Sequence, residues 1–133
     1  ALVMKDRYVK TLMPLEGNVN HVGIMYAGSL FTIGECMGGA IYGVAFDIQR
    51  FFPIVKEVTI RFRRPVTTDV TLELEMSEEE ADRIQKEAEE AGKADFTLDL
   101  DLKDTNNETV CVVSGIWQIR KIPEGMDSPF PTS

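Results

Sequence analysis

This 133-residue sequence predicts an α+β fold in which one antiparallel sheet curls around a single long helix. Three observations predict it. Val22 to Phe46 is the most apolar stretch of the chain and is interrupted only by small and polar residues. After Pro53 the hydrophobic period changes to two, the spacing of half-buried strands. Asn106-Asn107 then marks a hairpin, which makes neighbouring strands antiparallel.

The elements follow in order. From Ala1 to Met13, apolar residues at Met4, Tyr8, Val9, Leu12 and Met13 have helix-like spacing that Pro14 ends, so the reading is an N-terminal helix or a short strand. Leu15 to Ile24 mixes Gly17, Asn18, Asn20, His21 and Gly23, the composition of a loop. A long helix then starts near Met25 or Tyr26 and is expected to be buried on nearly every side. It carries Gly28, Gly34, Gly38, Gly39 and Gly43, which each cost roughly 1 kcal/mol against Ala and are tolerable where another backbone comes close. A sheet wrapped around the helix supplies such an approach.

Ile54 to Pro65 puts Val58, Ile60 and Phe62 on one face and Glu57, Thr59, Arg61 and Arg63 on the other. Asp69 to Met76 repeats the pattern with Val70, Leu72, Leu74 and Met76, and Asp95 to Lys103 with Phe96, Leu98, Leu100 and Leu102. Between these two strands, Ser77 and Glu80 form a capping box for a charged helix with a stripe of Ala81, Ile84, Ala88 and Ala91. That helix reads as a surface connector. Thr109 to Lys121 is the last strand, and Ile122 to Ser133, with three prolines, is irregular. The length suits one domain, 1–133, large enough to bury roughly two-thirds of its unfolded surface.

Composition narrows the function. A net charge of -8 argues against binding driven by nucleic-acid phosphates or anionic membrane surfaces. Two cysteines, Cys36 and Cys111, and one histidine form neither a disulfide framework nor a thiol-imidazole zinc site, and reduced thiols fit the cytoplasm. Ala1 to Lys10 has no continuous apolar region of the signal-peptide kind. A membrane span over Val22 to Phe46 is opposed by the charge of Glu35 at mid-depth and by the five glycines.

Glu35 is the first suspect for chemistry. Ionising a buried carboxyl costs several kcal/mol, so an acid kept in an apolar helix needs a partner or a shifted pKa. With its pKa raised, it would activate water or attack a carbonyl itself. The free N–H groups at the helix start, near Tyr26 and Ala27, would stabilise an oxyanion. Glu35 lies eight residues beyond Ala27, roughly 12 Å along the helix. One carbonyl can hardly meet both on one chain; if Ala27 N–H and Glu35 serve the same substrate, two antiparallel helices from two subunits would bring them together.

The segment from Asn20 to Glu35 (Asn20-His21-Val22-Gly23-Ile24-Met25-Tyr26-Ala27-Gly28-Ser29-Leu30-Phe31-Thr32-Ile33-Gly34-Glu35) resembles the signature of hot-dog-fold acyl-CoA thioesterases, especially the phenylacetate-pathway and 4-hydroxybenzoyl-CoA groups. Those families show an Asn, a His-Gly-Gly and a Phe-Thr-Leu-Ala-Asp-like stretch on the central helix. Ile60-Arg61-Phe62-Arg63-Arg64-Pro65 resembles the end of their first long strand. By position, the resemblance implies that Glu35 is the catalytic acid and Asn20 the substrate-orienting residue, with Tyr26-Ala27-Gly28 on the His-Gly-Gly. Tyr replaces His and Ala replaces the first Gly, which keeps a backbone donor at Ala27 but removes the imidazole. Val55 stands where some relatives carry a serine.

The resemblance implies hydrolysis of an acyl-CoA or carrier-protein thioester by a homodimer or dimer of dimers, without metal or redox cofactor. Coenzyme A enters only as part of the substrate. Tyr26, Gly28, Arg61, Arg63 and Arg64 are the candidate substrate-binding positions; by their chemistry the arginines either meet the phosphates of coenzyme A or lie on a solvated strand face, and Tyr26 is otherwise a packing aromatic. Two other readings stay open. His21 and Glu35, fourteen residues apart, are spaced like the pair of 3-hydroxyacyl carrier-protein dehydratases, although the His-Phe-Pro turn is missing. A hot-dog cleft also holds an acyl chain without cleaving it, which would make the chain a non-catalytic acyl-CoA binding module.

Overall fold

The computed structural model describes residues 3–123. Six strands and two helices run in the order β1 (Val3–Lys5), β2 (Tyr8–Met13), α1 (Ala27–Ala45), β3 (Phe51–Phe62), β4 (Val70–Glu75), α2 (Glu78–Ala91), β5 (Lys93–Lys103) and β6 (Thr109–Lys121). The strands form one antiparallel sheet in the order β1-β2-β4-β5-β6-β3, with α1 against its concave face. This is the hot-dog fold. The last ten residues of the proline-bearing tail lie outside the described residues.

The core is written in the period-two strands. Phe96, Leu98, Leu100 and Leu102 of β5 are all buried and alternate with exposed Asp95, Thr97, Asp99 and Asp101. From β6, Val113, Trp117 and Ile119 join them. Burying such side chains contributes about 1.5–3 kcal/mol each and outweighs any local preference. The turn between β5 and β6 is held by Asp104, whose Oδ1 accepts from the N–H groups of Asn106 and Glu108, with Asn107 at φ 63°.

Helix α1 meets this face through glycine, as the close-approach argument requires, but at only two of the five positions. A β-carbon at Gly34 would come within 2.7 Å of Val113, and one at Gly38 would overlap the indole of Trp117. Gly39 and Gly43 face open space. The helix is therefore not buried on nearly every side. Phe31, Thr32, Cys36, Gly39 and Gly43 form an exposed stripe along it, with Glu35 half-buried among them.

The N-terminal segment is a hairpin of two strands and not a helix. Its turn passes through Arg7 at φ 58°, and β2 then pairs with β4 from Tyr8↔Glu75 to Met13↔Val70. Long-range pairing overrides the helix-like spacing. At the opposite edge β3 starts at Phe51, three residues earlier than its alternation indicates. An edge position tolerates Pro53, and a bulge between Val55 and Glu57 shifts the phase, so Val55 faces Trp117 whereas Val58 faces Gly115.

Helix α2 has the expected cap, with Ser77 Oγ accepting from Glu80 N–H at 3.1 Å, and ends at Gly92 in the left-handed region. Its buried stripe is Ala81, Ile84 and Ala88, while Ala91 is exposed. Among the described residues no helix is long and apolar enough to cross a membrane.

Candidate active site

The loop before α1 is shaped by side chain to backbone hydrogen bonds. Asn20 Oδ1 accepts from Val22 N–H at 3.0 Å and Ile24 N–H at 3.2 Å, and its own N–H donates to Ile24 O. Gly23, at φ +84°, permits the return. Asn18 does as much. Its backbone oxygen accepts from Tyr26 N–H at 2.7 Å, and its Oδ1 accepts from the Ser29 hydroxyl at 2.9 Å. Met25 N–H donates to Val66 O, so the helix start is pinned to the chain that leaves β3.

Beside that pin lies a cleft of about 360 Å³ between the beginning of α1 and the end of β3. Ile24, Met25, Leu30, Phe62 and Val66 make its walls largely apolar. Its polar groups are Asn20, the first residue of α1, Ala27, and the two arginines Arg63 and Arg64. Four site residues expected from the sequence thus converge. Tyr26, Gly28, Arg61 and Glu35 do not line this cleft.

At its N-terminus the helix is electrostatically open. Tyr26 is the N-cap in an extended conformation, but its side chain makes no capping bond, and the first turn carries no acid. Ser29 and Leu30 N–H groups turn back to Tyr26 O, whereas those of Ala27 and Gly28 have no acceptor among the described residues. An unneutralised helix start with free donors favours negative charge. The ring of Tyr26 folds over Gly28, where a β-carbon would come within 2.5 Å of it, which leaves Ala27 as the amide at the cleft.

Asn20 is both a turn former and a cleft residue. With its oxygen held by two N–H groups, only its NH2 group is free to donate to a ligand. The arginines differ among themselves. Arg63 and Arg64 N–H groups both donate to Val110 O, which anchors the strand end to β6. The Arg64 guanidinium is held by Glu108 at 2.7 Å, while Arg61 and Arg63 form no ion pair among the described residues. His21 is an exposed loop residue outside the cleft.

Glu35 lies two turns along α1 on the exposed stripe. Its Oε2 accepts from the Cys36 thiol at 3.7 Å. Partial burial raises the Cys36 pKa first, and the neighbouring carboxylate raises it further. Cys111 is buried, and both cysteines are free thiols. Sequence reasoning missed the tether from Asn18 to Ser29 and the wall formed by Ile24, Met25, Leu30 and Val66. An Asn eight residues before the N-cap is the one local signal for the first, and the second depends on a contact across forty residues of chain.

Residues 3–120 match the model of the family described as "Putative thioesterase (yiiD_Cterm)". The chain belongs to this thioesterase family. The structure of a Pseudomonas aeruginosa protein of unknown function, described as a "Probable Thioesterase", is 44% identical, with a TM-score of 0.88 over 91% of this chain and 81% of that one. A Haemophilus influenzae thioesterase shares the fold at 12% identity and a TM-score of 0.68, covering 92% and 78% of the two chains. A Streptococcus pneumoniae protein described as a hypothetical thioesterase with coenzyme A does so at 13% identity and a TM-score of 0.63, covering 90% and 84%. No curated protein matches the chain. These similarities hold for hot-dog thioesterases at large and do not single out the phenylacetate-pathway or 4-hydroxybenzoyl-CoA groups that the motif resembles.

Proposed function

We propose that this thioesterase-family chain hydrolyses acyl-CoA thioesters, with Glu35 as base or nucleophile and the Ala27 N–H as oxyanion donor. The observation that carries the reading is an apolar cleft whose lining includes both Ala27, whose N–H has no acceptor among the described residues, and two arginines. Such a cleft takes an acyl chain along its walls and presents the carbonyl oxygen to the helix start. The pneumococcal fold neighbour carries coenzyme A.

In the base form of the reaction, the Glu35 carboxylate takes a proton from water as its oxygen attacks the thioester carbon. Charge collects on the carbonyl oxygen and is met by Ala27 N–H. Collapse breaks the C–S bond, and the proton held by Glu35 passes to the leaving thiolate, giving a carboxylic acid and a thiol. Asn20, through its NH2 group, orients the water or the thioester. Tyr26, folded over Gly28, leaves the Ala27 amide facing the substrate, and arginines at the end of β3 meet the phosphates of the carrier. Water and a polarised carbonyl suffice, so the reading invokes no metal or redox cofactor.

Because Glu35 stands roughly 12 Å from Ala27 along α1, the reading requires a homodimer in which each site takes the amide from one helix and the acid from the other. The half-buried acid on an exposed stripe supports this arrangement, as does the unpaired edge of β3 with its exposed Val55 and Phe62. A dimer of dimers is compatible with it. We place the reaction in the cytoplasm, where free thiols persist, with neither nucleic acid nor membrane as partner.

The test is thiol release from short, medium, long and aromatic acyl-CoAs. Glu35→Gln is expected to lower kcat by about 100-fold or more while acyl-CoA binding survives, and His21→Ala to be mild. Equal damage from both changes would favour the dehydratase reading. Micromolar acyl-CoA affinity with no turnover in the wild type would leave a binding module.

A further inference from the structure

Helix α1 starts without a side-chain cap, although Asn18, Asn20 and Ser29, residues of the types that cap helices, stand around its first turn. Each has its side-chain oxygen engaged elsewhere. Asn20 Oδ1 is held by the Val22 and Ile24 N–H groups, and the Ser29 hydroxyl donates at 2.9 Å to Asn18 Oδ1. Asn18 uses every polar group it has. Its N–H donates to Leu15 O at 3.0 Å and its carbonyl accepts from Tyr26 N–H at 2.7 Å. Its Nδ2 donates to Pro14 O at 2.9 Å and to Glu16 O at 3.5 Å. The turn it belongs to is moored in its own right, because Leu15 N–H donates at 2.8 Å to Asp69 Oδ1 ahead of β4. The start of α1 is thus fastened through Asn18 from outside the cleft, which neither Asn18 nor Ser29 lines.

This fastening has a property that a cap lacks. A capping oxygen accepts from an N–H of the first turn, whereas the bond from Ser29 to Asn18 joins two side chains. It leaves the Ala27 and Gly28 N–H groups without an acceptor among the described residues. An oxyanion donor has to be held in place before the reaction and stay unoccupied until charge develops. We infer that Asn18 and Ser29 are a positioning pair for hydrolysis, holding the first turn of α1 in place of a cap so that Ala27 N–H is both fixed and free. The assignment rests on the thioesterase reading and extends it to two half-buried residues outside the cleft. Tyr26, just before the donor, bonds Asn18 O, and Ser29, just beyond Gly28, bonds Asn18 Oδ1. Ala27 is therefore bracketed by two bonds to the same asparagine.

The test is steady-state kinetics on the acyl-CoA that the wild type cleaves fastest. Asn18→Ala and Ser29→Ala are each expected to lower kcat roughly tenfold or more with KM within about twofold, because a displaced donor weakens the transition state and not the bound thioester. The double variant should stay within about twofold of the worse single one, since the two residues act through one bond. Ser29→Thr keeps the hydroxyl and should hold kcat within about threefold of wild type. Ser77→Ala, which removes the cap of α2, a helix that does not line the cleft, should lower the melting temperature without lowering kcat. A kcat unchanged by both single variants, a loss confined to KM, multiplying losses in the double variant, or a fall in kcat that Ser77→Ala reproduces overturns the inference. Should Asn18→Ala not fold, Ser29→Ala and Ser29→Thr decide alone. If the wild type cleaves no thioester, the thioesterase reading fails by itself and the pair is judged by amide hydrogen exchange. Tyr26 and Ser29 N–H groups that exchange at least about tenfold faster in Ser29→Ala, with Ile41 N–H unchanged, uphold the fastening, and exchange indifferent to the substitution ends it.

Discussion

Gly38 of α1 and Trp117 of β6 occupy complementary space, because a β-carbon on the glycine would overlap the indole around Nε1. Trp117 is buried, and its Nε1 has no hydrogen-bond partner among the described residues. The absence of one methyl group thus sets how closely the helix that carries the candidate site lies on the sheet.

Gly38→Ala is therefore expected to destabilise the fold by about 2–3 kcal/mol, against the helix propensity that Ala would gain. Trp117→Phe makes room and removes the unpartnered N–H, and should cost about 1–2 kcal/mol as a cavity. The double variant should be no less stable than Trp117→Phe alone, a coupling of about 2 kcal/mol in a denaturation cycle. Additive losses would show that the two residues do not share this space.

That contact was legible in the sequence as glycines in a helix that needs a close neighbour, but which glycines touch was not. Gly34 and Gly38 meet β6 while Gly39 and Gly43 meet nothing, and the difference lies in helical phase against a sheet whose position the local sequence does not encode. Strands β4 and β5 were readable because burial on one face imposes period two, and β6 from its apolar run after the Asn106-Asn107 turn. The strand β2 was not, since Val9, Leu12 and Met13 fit a helix until their pairing with β4 is known. Within the site, the types and places of Asn20, Ala27 and Arg63 were readable. The holding of Arg64 by Glu108, 44 residues away, was not.

The acid limb of stability should be traced in part to Asp95. Hydrogen bonds from Gln118 first, then Lys56, hold its carboxyl below the ordinary carboxylate range. A lowered folded pKa means that the unfolded chain binds the proton more readily. The contribution is complete above the unfolded value, about pH 4, and disappears as pH falls through the folded value. Asp95→Asn should therefore melt at a lower temperature than wild type at pH 7, with the gap narrowing steadily below about pH 4. Parallel melting curves down to pH 2 would contradict this assignment.

The proposed sharing of the site between two subunits makes the most demanding prediction. Ala27 is the first residue of α1 and its N–H has no acceptor, while Tyr26 before it is extended at φ -63° and ψ 134°. Proline is at home at such a position and after such a residue, so Ala27→Pro should delete the oxyanion donor without disturbing the helix. Alone it should be nearly inactive, as should Glu35→Gln. Mixed and refolded together in equal amounts, they would form heterodimers in which one site carries both lesions and the other neither. In the proposed two-fold dimer, about a quarter of wild-type turnover should return. A mixture as inactive as its parts would mean that amide and acid act within one chain or not at all, and either result overturns the shared site.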